Sequence, residues 1–141
     1  MIVILLQKDQ ITIDWVRRFV DEEHKDKIIG THSLKKVIEL VQKWREQAVL
    51  VTCHYPDTMW DAIELARLVK HTVAHTSVYT YSIIPISELE EAEGLIEAQI
   101  AKPSGSPPST GYFPKIGALL SRLSDGATAN EIKREFPDIV T

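Results

Sequence analysis

The sequence predicts a single α/β domain, in which a parallel β-sheet lies between two layers of helices. Segments rich in apolar residues alternate with segments whose apolar residues recur every three or four positions, the patterns of buried strands and amphipathic helices. The chain has 141 residues, the length of one ordinary domain, and 44% of them are hydrophobic. That proportion is enough to form a core. Parallel strands need crossover connections, which the intervening helices supply.

The first half of the chain contains three predicted strands and two predicted helices. Residues 2–6 form a continuous apolar run, as expected of a strand covered on both faces, and 27–31 is a short second strand. Ser33 is the predicted N-cap of the second helix, and 48–53 is the third strand. The first helix lies between the first two strands, and its Trp15 is expected in the core. The residues that recur in this helix at spacings of three and four positions are Thr12, Trp15, Val16, Phe19 and Val20.

The second half continues the alternation. A helix is predicted from about residue 58 to 70, followed by a strand over 77–85 that is rich in β-branched and aromatic residues and stops at a proline. A short acidic helix is expected at 87–93, and a brief fifth strand at 98–101. These segments complete five strands.

The C-terminal part is predicted to be irregular at first and then helical. Residues 103–114 carry four of the seven prolines, which excludes long regular structure. A helix is expected over 115–123. Thr128 and Glu131 form the capping box of one last short helix, ended by Pro137.

The order of these elements predicts a three-layer (βα)5 architecture with strand order 2-1-3-4-5, the flavodoxin-like arrangement. Residues 1–124 would form this α/β domain, and 125–141 a short C-terminal helical extension. Ligands of such sheets bind at the carboxyl ends of the strands. We therefore expect functional residues after strands 1, 3, 4 and 5.

Charge and composition restrict the function classes. A net charge of −4 and a pI near 5.7 give no long-range attraction for a nucleic-acid backbone, so a nucleic-acid partner is not expected. The single cysteine, Cys53, excludes an internal disulfide framework and fits the reducing cytoplasm. The start, "MIVILLQKDQ", has no basic region before its short apolar run. We expect neither a signal peptide nor a membrane segment.

Two stretches resemble the receiver domain of response regulators. "IAKP" (100–103) ends the fifth strand, and "CHYPDTMWDAIELARLVK" (53–70) has the proline and helix that follow the third strand of a receiver. The resemblance covers residues 1–123 and implies the receiver fold, with a cis peptide bond between Lys102 and Pro103. The pocket that it implies consists of Leu6, Gln7, Thr52, Ser82 and Lys102.

This pocket departs from the receiver pattern in its chemistry. Receivers bind Mg²⁺ through an acidic pair after the first strand and are phosphorylated on an aspartate that ends the third. Leu6 and Gln7 take the place of the pair, and Thr52 that of the acceptor. Mg²⁺ requires oxygen ligands that carry charge, so the resemblance implies a pseudo-receiver without catalysis, metal or cofactor. The alternative is that Asp9 and Asp57 supply the missing carboxylates.

The resemblance also implies a protein partner, because receivers commonly dock through the side that contains the fifth strand. The candidate partner-binding residues on this side are Glu88, Glu90, Glu91, Gln99 and Lys115. A solvated acidic face is the simpler interpretation of the glutamates. A homodimer is a further possible assembly.

Several polar residues leave a choice between chemistry and structure. Cys53 is either a reactive thiol activated by His54 or Lys102, or a small buried hydrophobe. His71 and His75 have the spacing of a helical zinc pair, but a solvated helix end explains them as well.

The tail suggests a function of a different class. "LLSRLSDGATANEIKREFPDI" (119–139) is similar to the first half of a helix-turn-helix in antitoxin-like proteins. Counted together with Lys115, it has four basic and four acidic residues, and this balance favours a packed hairpin over a DNA-binding element. Together with Asp9 and Asp57, the tail raises the alternative of a degenerate PIN-like or other α/β nuclease. Such an enzyme needs several convergent carboxylates to hold its metals.

Overall fold

Five parallel strands form one sheet in the order β2-β1-β3-β4-β5, which confirms the predicted topology. The computed structural model describes residues 1–54, 61–82, 94–102 and 111–141. The strands are β1 (Ile2–Leu6), β2 (Ile28–Thr31), β3 (Ala48–Thr52), β4 (Ser77–Ser82) and β5 (Ala98–Ala101). Each connection along this sheet is a crossover, so the carboxyl ends of all five strands lie at one edge.

Helices cover both faces of the sheet. In the described part of the chain they are α1 (Gln10–Arg18), α2 (Leu34–Trp44), α3 (Ala62–Thr72), α4 (Tyr112–Ser124) and α5 (Ala129–Glu135). Asp9, Ser33, Asp61 and Thr128 cap the first, second, third and fifth of these helices through side-chain oxygens that accept backbone N–H groups. The predicted capping box of Thr128 and Glu131 is present.

Two predicted helix boundaries differ from the structure. Helix α3 begins at Ala62 rather than near residue 58, because the Asp61 side chain caps it. Helix α4 begins at Tyr112 and includes Pro114, which the first turn tolerates since its N–H would have no helical partner. The predicted acidic helix at 87–93 lies outside the described residues.

The core has two layers that share the sheet. Along β1, Val3 and Leu5 pack with α1, α4 and α5, whereas Ile4 and Leu6 pack with α2 and α3. This alternation is the two-residue period of a strand with both faces covered, and it explains why residues 2–6 are uniformly apolar.

Two glycines allow α1 to pack closely on its neighbours. A Cβ atom on Gly117 of α4 would lie 2.0 Å from the backbone oxygen of Phe19 at the end of α1. A Cβ atom on Gly30 of β2 would lie 2.1 Å from Cγ2 of Ile13. Any side chain at either position would therefore push α1 away from the sheet or from α4.

The expectation that Trp15 lies in the core is wrong. Helix α1 buries Ile13 and Val16, and Val20 continues this line after the helix. Trp15 is displaced from that line by part of a turn, and 43% of its surface is exposed. Its ring packs edge-on against Phe19 and Phe113 at the rim of the layer.

The C-terminal segment packs on the domain and pairs with β5. Ile132 of α5 is completely buried in the same core as α1 and α4. Val140 forms an antiparallel bridge with Ile100, and Gln99 and Thr141 exchange two backbone hydrogen bonds of 2.8 and 2.9 Å. Residues 139–141 thus extend the parallel sheet by one short antiparallel segment.

None of the helices in the described ranges is long and apolar enough to cross a lipid bilayer.

Candidate functional site

The five predicted pocket residues lie at the carboxyl edge of the sheet. Leu6 ends β1 and is in register with Thr52 at the end of β3, and Ser82 ends β4. Gln7 and Lys102 directly follow β1 and β5. Apart from Lys102, which is partly exposed, these residues are buried.

The centre of this edge is a hydrogen bond between Lys102 and Gln7. The Nζ atom of Lys102 donates to Oε1 of Gln7 over 3.0 Å. The Gln7 amide nitrogen donates to the carbonyl of Leu6 at 2.9 Å and approaches that of Tyr81 at 3.5 Å. A fully buried amide has its donor and acceptor both occupied, so Gln7 holds the lysine without supplying a negative charge.

The backbone and two tyrosines fix the surroundings of Lys102. Its N–H donates to the Ser82 carbonyl at 3.1 Å, and its Nζ atom lies 5.7 Å from the ring centroid of Tyr81. The hydroxyls of Tyr81 and Tyr112 are 3.2 Å apart, and the Tyr112 hydroxyl also donates to the carbonyl of Ala101. Burial raises the pKa of Tyr81 to about 12 and also raises that of Tyr112. Both phenols are therefore neutral beside the lysine.

The end of β3 is occupied by local hydrogen bonds. The Thr52 hydroxyl donates to the Cys53 carbonyl at 2.8 Å, and the Cys53 N–H donates to the Leu6 carbonyl at 3.0 Å. The Cys53 side chain is completely buried. His54 accepts the Ala62 N–H at its Nδ1 atom over 3.0 Å, and it therefore helps to cap α3.

The residues that the structure describes at this edge do not fit the Mg²⁺ ion of a receiver. Leu6, Gln7 and Thr52 offer no carboxylate. Asp9 is the N-cap of α1, where its Oδ1 atom accepts the Thr12 N–H at 2.7 Å. That hydrogen bond is the main reason why the pKa of Asp9 is lowered, and Lys102 lowers it further.

Other predicted metal ligands do not converge either. Within the described ranges, no group of three His, Cys, Asp or Glu side chains is placed to hold a metal ion, and this applies to His71 and His75 near the end of α3. Asp57 and Pro103 lie outside the described residues, and so does the predicted cis peptide bond before Pro103.

The predicted partner face is described only in part. Glu88, Glu90 and Glu91 lie outside the described residues. The other two members contact the C-terminal segment: Gln99 pairs with Thr141, and Lys115 forms an ion pair with Asp138 at 2.9 Å. A cavity of about 160 Å³ is lined by residues of both β5 and this segment.

The sequence alone did not reveal the direct bond between Gln7 and Lys102, because it joins residues that are 95 positions apart. It also missed the two tyrosines. One signal was available for Tyr81, since it lies in the alternating stretch "SVYTYS" directly before a pocket position.

No protein-family model matches the sequence, and no curated protein matches it. The fold is that of response-regulator receiver domains. One solved structure with this fold is a two-component transcriptional regulator AraC from Clostridium phytofermentans ISDg, with a TM-score of 0.59, 15% identity and coverage of 96% of both chains. Another is the isolated REC domain of RcsB from Salmonella enterica serovar Typhimurium in the presence of phosphomimetic BeF3⁻. Its TM-score is 0.61, at 19% identity and with 91% of both chains covered.

At these identities the likeness establishes the receiver fold alone. It lends no support to the PIN-like nuclease alternative, and it does not show the antitoxin-like resemblance of the tail.

Proposed function

We propose that this protein is a non-catalytic, receiver-like interaction module that acts through protein contacts in the cytoplasm. The observation that carries the proposal is the 3.0 Å hydrogen bond between Lys102 and Gln7 at the carboxyl edge of a receiver fold. The resemblance implies that Lys102 corresponds to the lysine that acts on a phosphoryl group in receivers. Here the neutral amide of Gln7 accepts from it instead.

Because Gln7 accepts a hydrogen bond from Lys102, the lysine does not need a bound ligand as its acceptor. A partly buried ammonium group without a hydrogen-bond acceptor is costly, and Gln7 offsets that cost within the chain itself. Thr52 at the acceptor position has a hydroxyl, which forms no acyl phosphate, and this hydroxyl already donates to the Cys53 carbonyl. We infer that the module has one constant state and that its partner binding is independent of phosphorylation and of metal.

The test compares the natural chain with one in which the receiver residues are installed. The natural chain should take up no acid-labile phosphate from acetyl phosphate and should show no Mg²⁺ binding by isothermal titration calorimetry. The triple variant Leu6→Asp/Gln7→Asp/Thr52→Asp should bind Mg²⁺, because three carboxylates would then meet at one edge. The single variant Thr52→Asp is the matched control and should not bind it tightly.

Two results would count against the proposal. Acid-labile phosphate on the natural chain would show that the pocket is active. A triple variant that is folded by circular dichroism but binds no Mg²⁺ would show that these positions do not form a receiver pocket.

The partner surface remains a proposal in its own right. We propose that Glu88, Glu90, Glu91, Gln99 and Lys115 contribute to it. A Glu90→Lys/Glu91→Lys variant should recover less partner in a pull-down analysed by mass spectrometry, mainly through a slower association rate. Recovery equal to that of the natural chain would exclude these glutamates.

A further inference from the structure

Helix α1 has an exposed face that combines two large apolar side chains with two charged ones. Ile11 is 80% exposed and Trp15 is 43% exposed. Asp14 and Arg18 are exposed on the same side, since positions 11, 14, 15 and 18 follow the spacing of one helix face. We call Ile11, Asp14, Trp15 and Arg18 the α1 face.

Aromatic packing holds the centre of the α1 face in place. The Trp15 ring contacts Phe113 edge-on at 5.6 Å between centroids, and Phe19 stacks on Phe113 at 5.5 Å. The Arg18 guanidinium lies 4.8 Å from the centroid of the Trp15 ring. A tryptophan that is already ordered loses little conformational entropy on association, and Trp and Arg are the residue types that contribute most to interfaces.

The charges on the α1 face complement those of a second, antiparallel copy. Asp14 and Arg18 are one turn apart, yet they form no ion pair with each other among the described residues. Asp14 accepts from the neutral Gln10 amide at 2.8 Å, and Arg18 lies on Trp15. When two such helices cross antiparallel about a twofold axis at the level of Val16, Asp14 of each copy faces Arg18 of the other, so the favourable pair occurs twice. A parallel arrangement would bring like charges together.

We propose that the α1 face joins two copies of this chain in an antiparallel, twofold-symmetric dimer. Trp15 and the two Asp14–Arg18 pairs would lie next to the twofold axis, and Ile11 would be buried towards each end of the contact. The proposal does not depend on the chemistry of the strand-end pocket, since α1 meets its neighbours through residues other than those of the pocket.

Sedimentation equilibrium over a range of protein concentrations tests the proposal. The natural chain should dimerise, and Asp14→Arg and Arg18→Asp should each raise the dissociation constant about tenfold or more, because each replaces two attractive pairs with repulsive ones. An equimolar mixture of the two variants should dimerise again. In that mixture the face with two arginines meets the face with two aspartates, so both pairs are attractive once more.

A matched pair of apolar variants controls for the location of the contact. Ile11→Ser should weaken the dimer, whereas Leu68→Ser, which changes an exposed leucine on α3, should not. Circular dichroism verifies that each variant is folded. The proposal is overturned if the natural chain stays monomeric at every concentration, which would leave the face to a different protein. It is also overturned if the charge variants dimerise normally, or if their mixture fails to assemble.

Discussion

At the scale of single residues, the Gln7 side chain connects the ends of separate strands. It is fully buried and links Leu6, Tyr81 and Lys102, which belong to or follow three different strands. A carboxylate in its place would accept from the lysine but could not donate to the two carbonyls. The amide therefore suits a site that contains no ligand.

We expect Gln7→Met to destabilise the protein by about 1–3 kcal/mol, because methionine fills the space but leaves the Lys102 ammonium group without its acceptor. Gln10→Met is the matched control. Gln10 is exposed at the start of α1, so its loss should change the free energy of unfolding by less than about 0.5 kcal/mol. Urea denaturation measures both changes, and equal effects would show that the Gln7 hydrogen bonds contribute nothing.

His24 gives the fold a dependence on pH. Its Nδ1 atom contacts Asp21, and its Nε2 atom lies 2.9 Å from Oδ1 of Asp125, the C-cap residue that follows α4. The hydrogen bonds to Asp21 and Asp125 raise the pKa of His24, and His24 lowers the pKa of Asp125. The protonated imidazole thus joins the segment after α1 to the end of α4.

Because the pKa of folded His24 is raised, its stabilisation is complete below the unfolded pKa of about 6.5 and is lost as the pH rises through the folded pKa. We expect His24→Gln to lower the free energy of unfolding at about pH 6 and to have a smaller effect at about pH 9. Urea denaturation at both values measures the difference. In an Asp125→Asn background, this dependence on pH should become smaller. If it stays unchanged, a group other than the His24–Asp125 pair causes it.

At the scale of elements, the close packing of α1 depends on two glycines whose neighbours differ in rigidity. Helix propensity alone would make Gly117→Ala stabilising by about 1 kcal/mol. The new Cβ atom would meet backbone at Phe19, however, which cannot rotate away. We expect destabilisation by about 1–3 kcal/mol, measured by thermal or urea denaturation, and a stabilised variant would contradict the close approach.

Gly30→Ala provides the internal comparison. Its Cβ atom would meet the Ile13 side chain and no backbone, with Cγ2 at 2.1 Å as the closest atom and Cβ at 3.3 Å. The double variant Gly30→Ala/Ile13→Leu lacks that methyl branch and should recover part of the lost stability. No recovery would mean that the strain lies in the backbone of β2.

The strand order could be predicted from the sequence because buried parallel strands are uniformly apolar and crossovers have one hand. The side chain of Trp15 could not be placed in the same way. Its spacing fits a helix stripe, but the position of the stripe depends on how α1 lies against Gly30 and Gly117, and this is a tertiary effect. The pocket positions followed from strand ends, whereas the bond between Gln7 and Lys102 depends on side-chain directions that no local pattern contains.

At the scale of the whole molecule, the C-terminal segment shares the core of the sheet. Ile132 lies in one cluster with residues of β1, α1 and α4. We infer that residues 125–141, predicted from the sequence as a short helical extension, unfold together with the rest of the chain.

Ile132→Ala tests this inference. We expect a loss of about 2–5 kcal/mol in one cooperative transition, with the same midpoint by tryptophan fluorescence and by far-ultraviolet circular dichroism. Leu68→Ala, at an exposed position of α3, is the control and should have little effect. Separate midpoints for the two signals would mean that the extension melts independently.

The backbone pairing between residues 139–141 and β5 also governs how the protein behaves when its copies are crowded. An uncovered outer strand offers a row of N–H and C=O groups on which another chain can grow, which is how ordered aggregates start. Here Gln99 and Ala101 already give their N–H groups to Thr141 and Ile139. On the opposite side, β2 has only four residues, one of which is Gly30, so it offers a short template. The tail therefore covers the edge of β5, which has four residues like β2, and reduces the backbone that another chain could pair with at this side of the sheet.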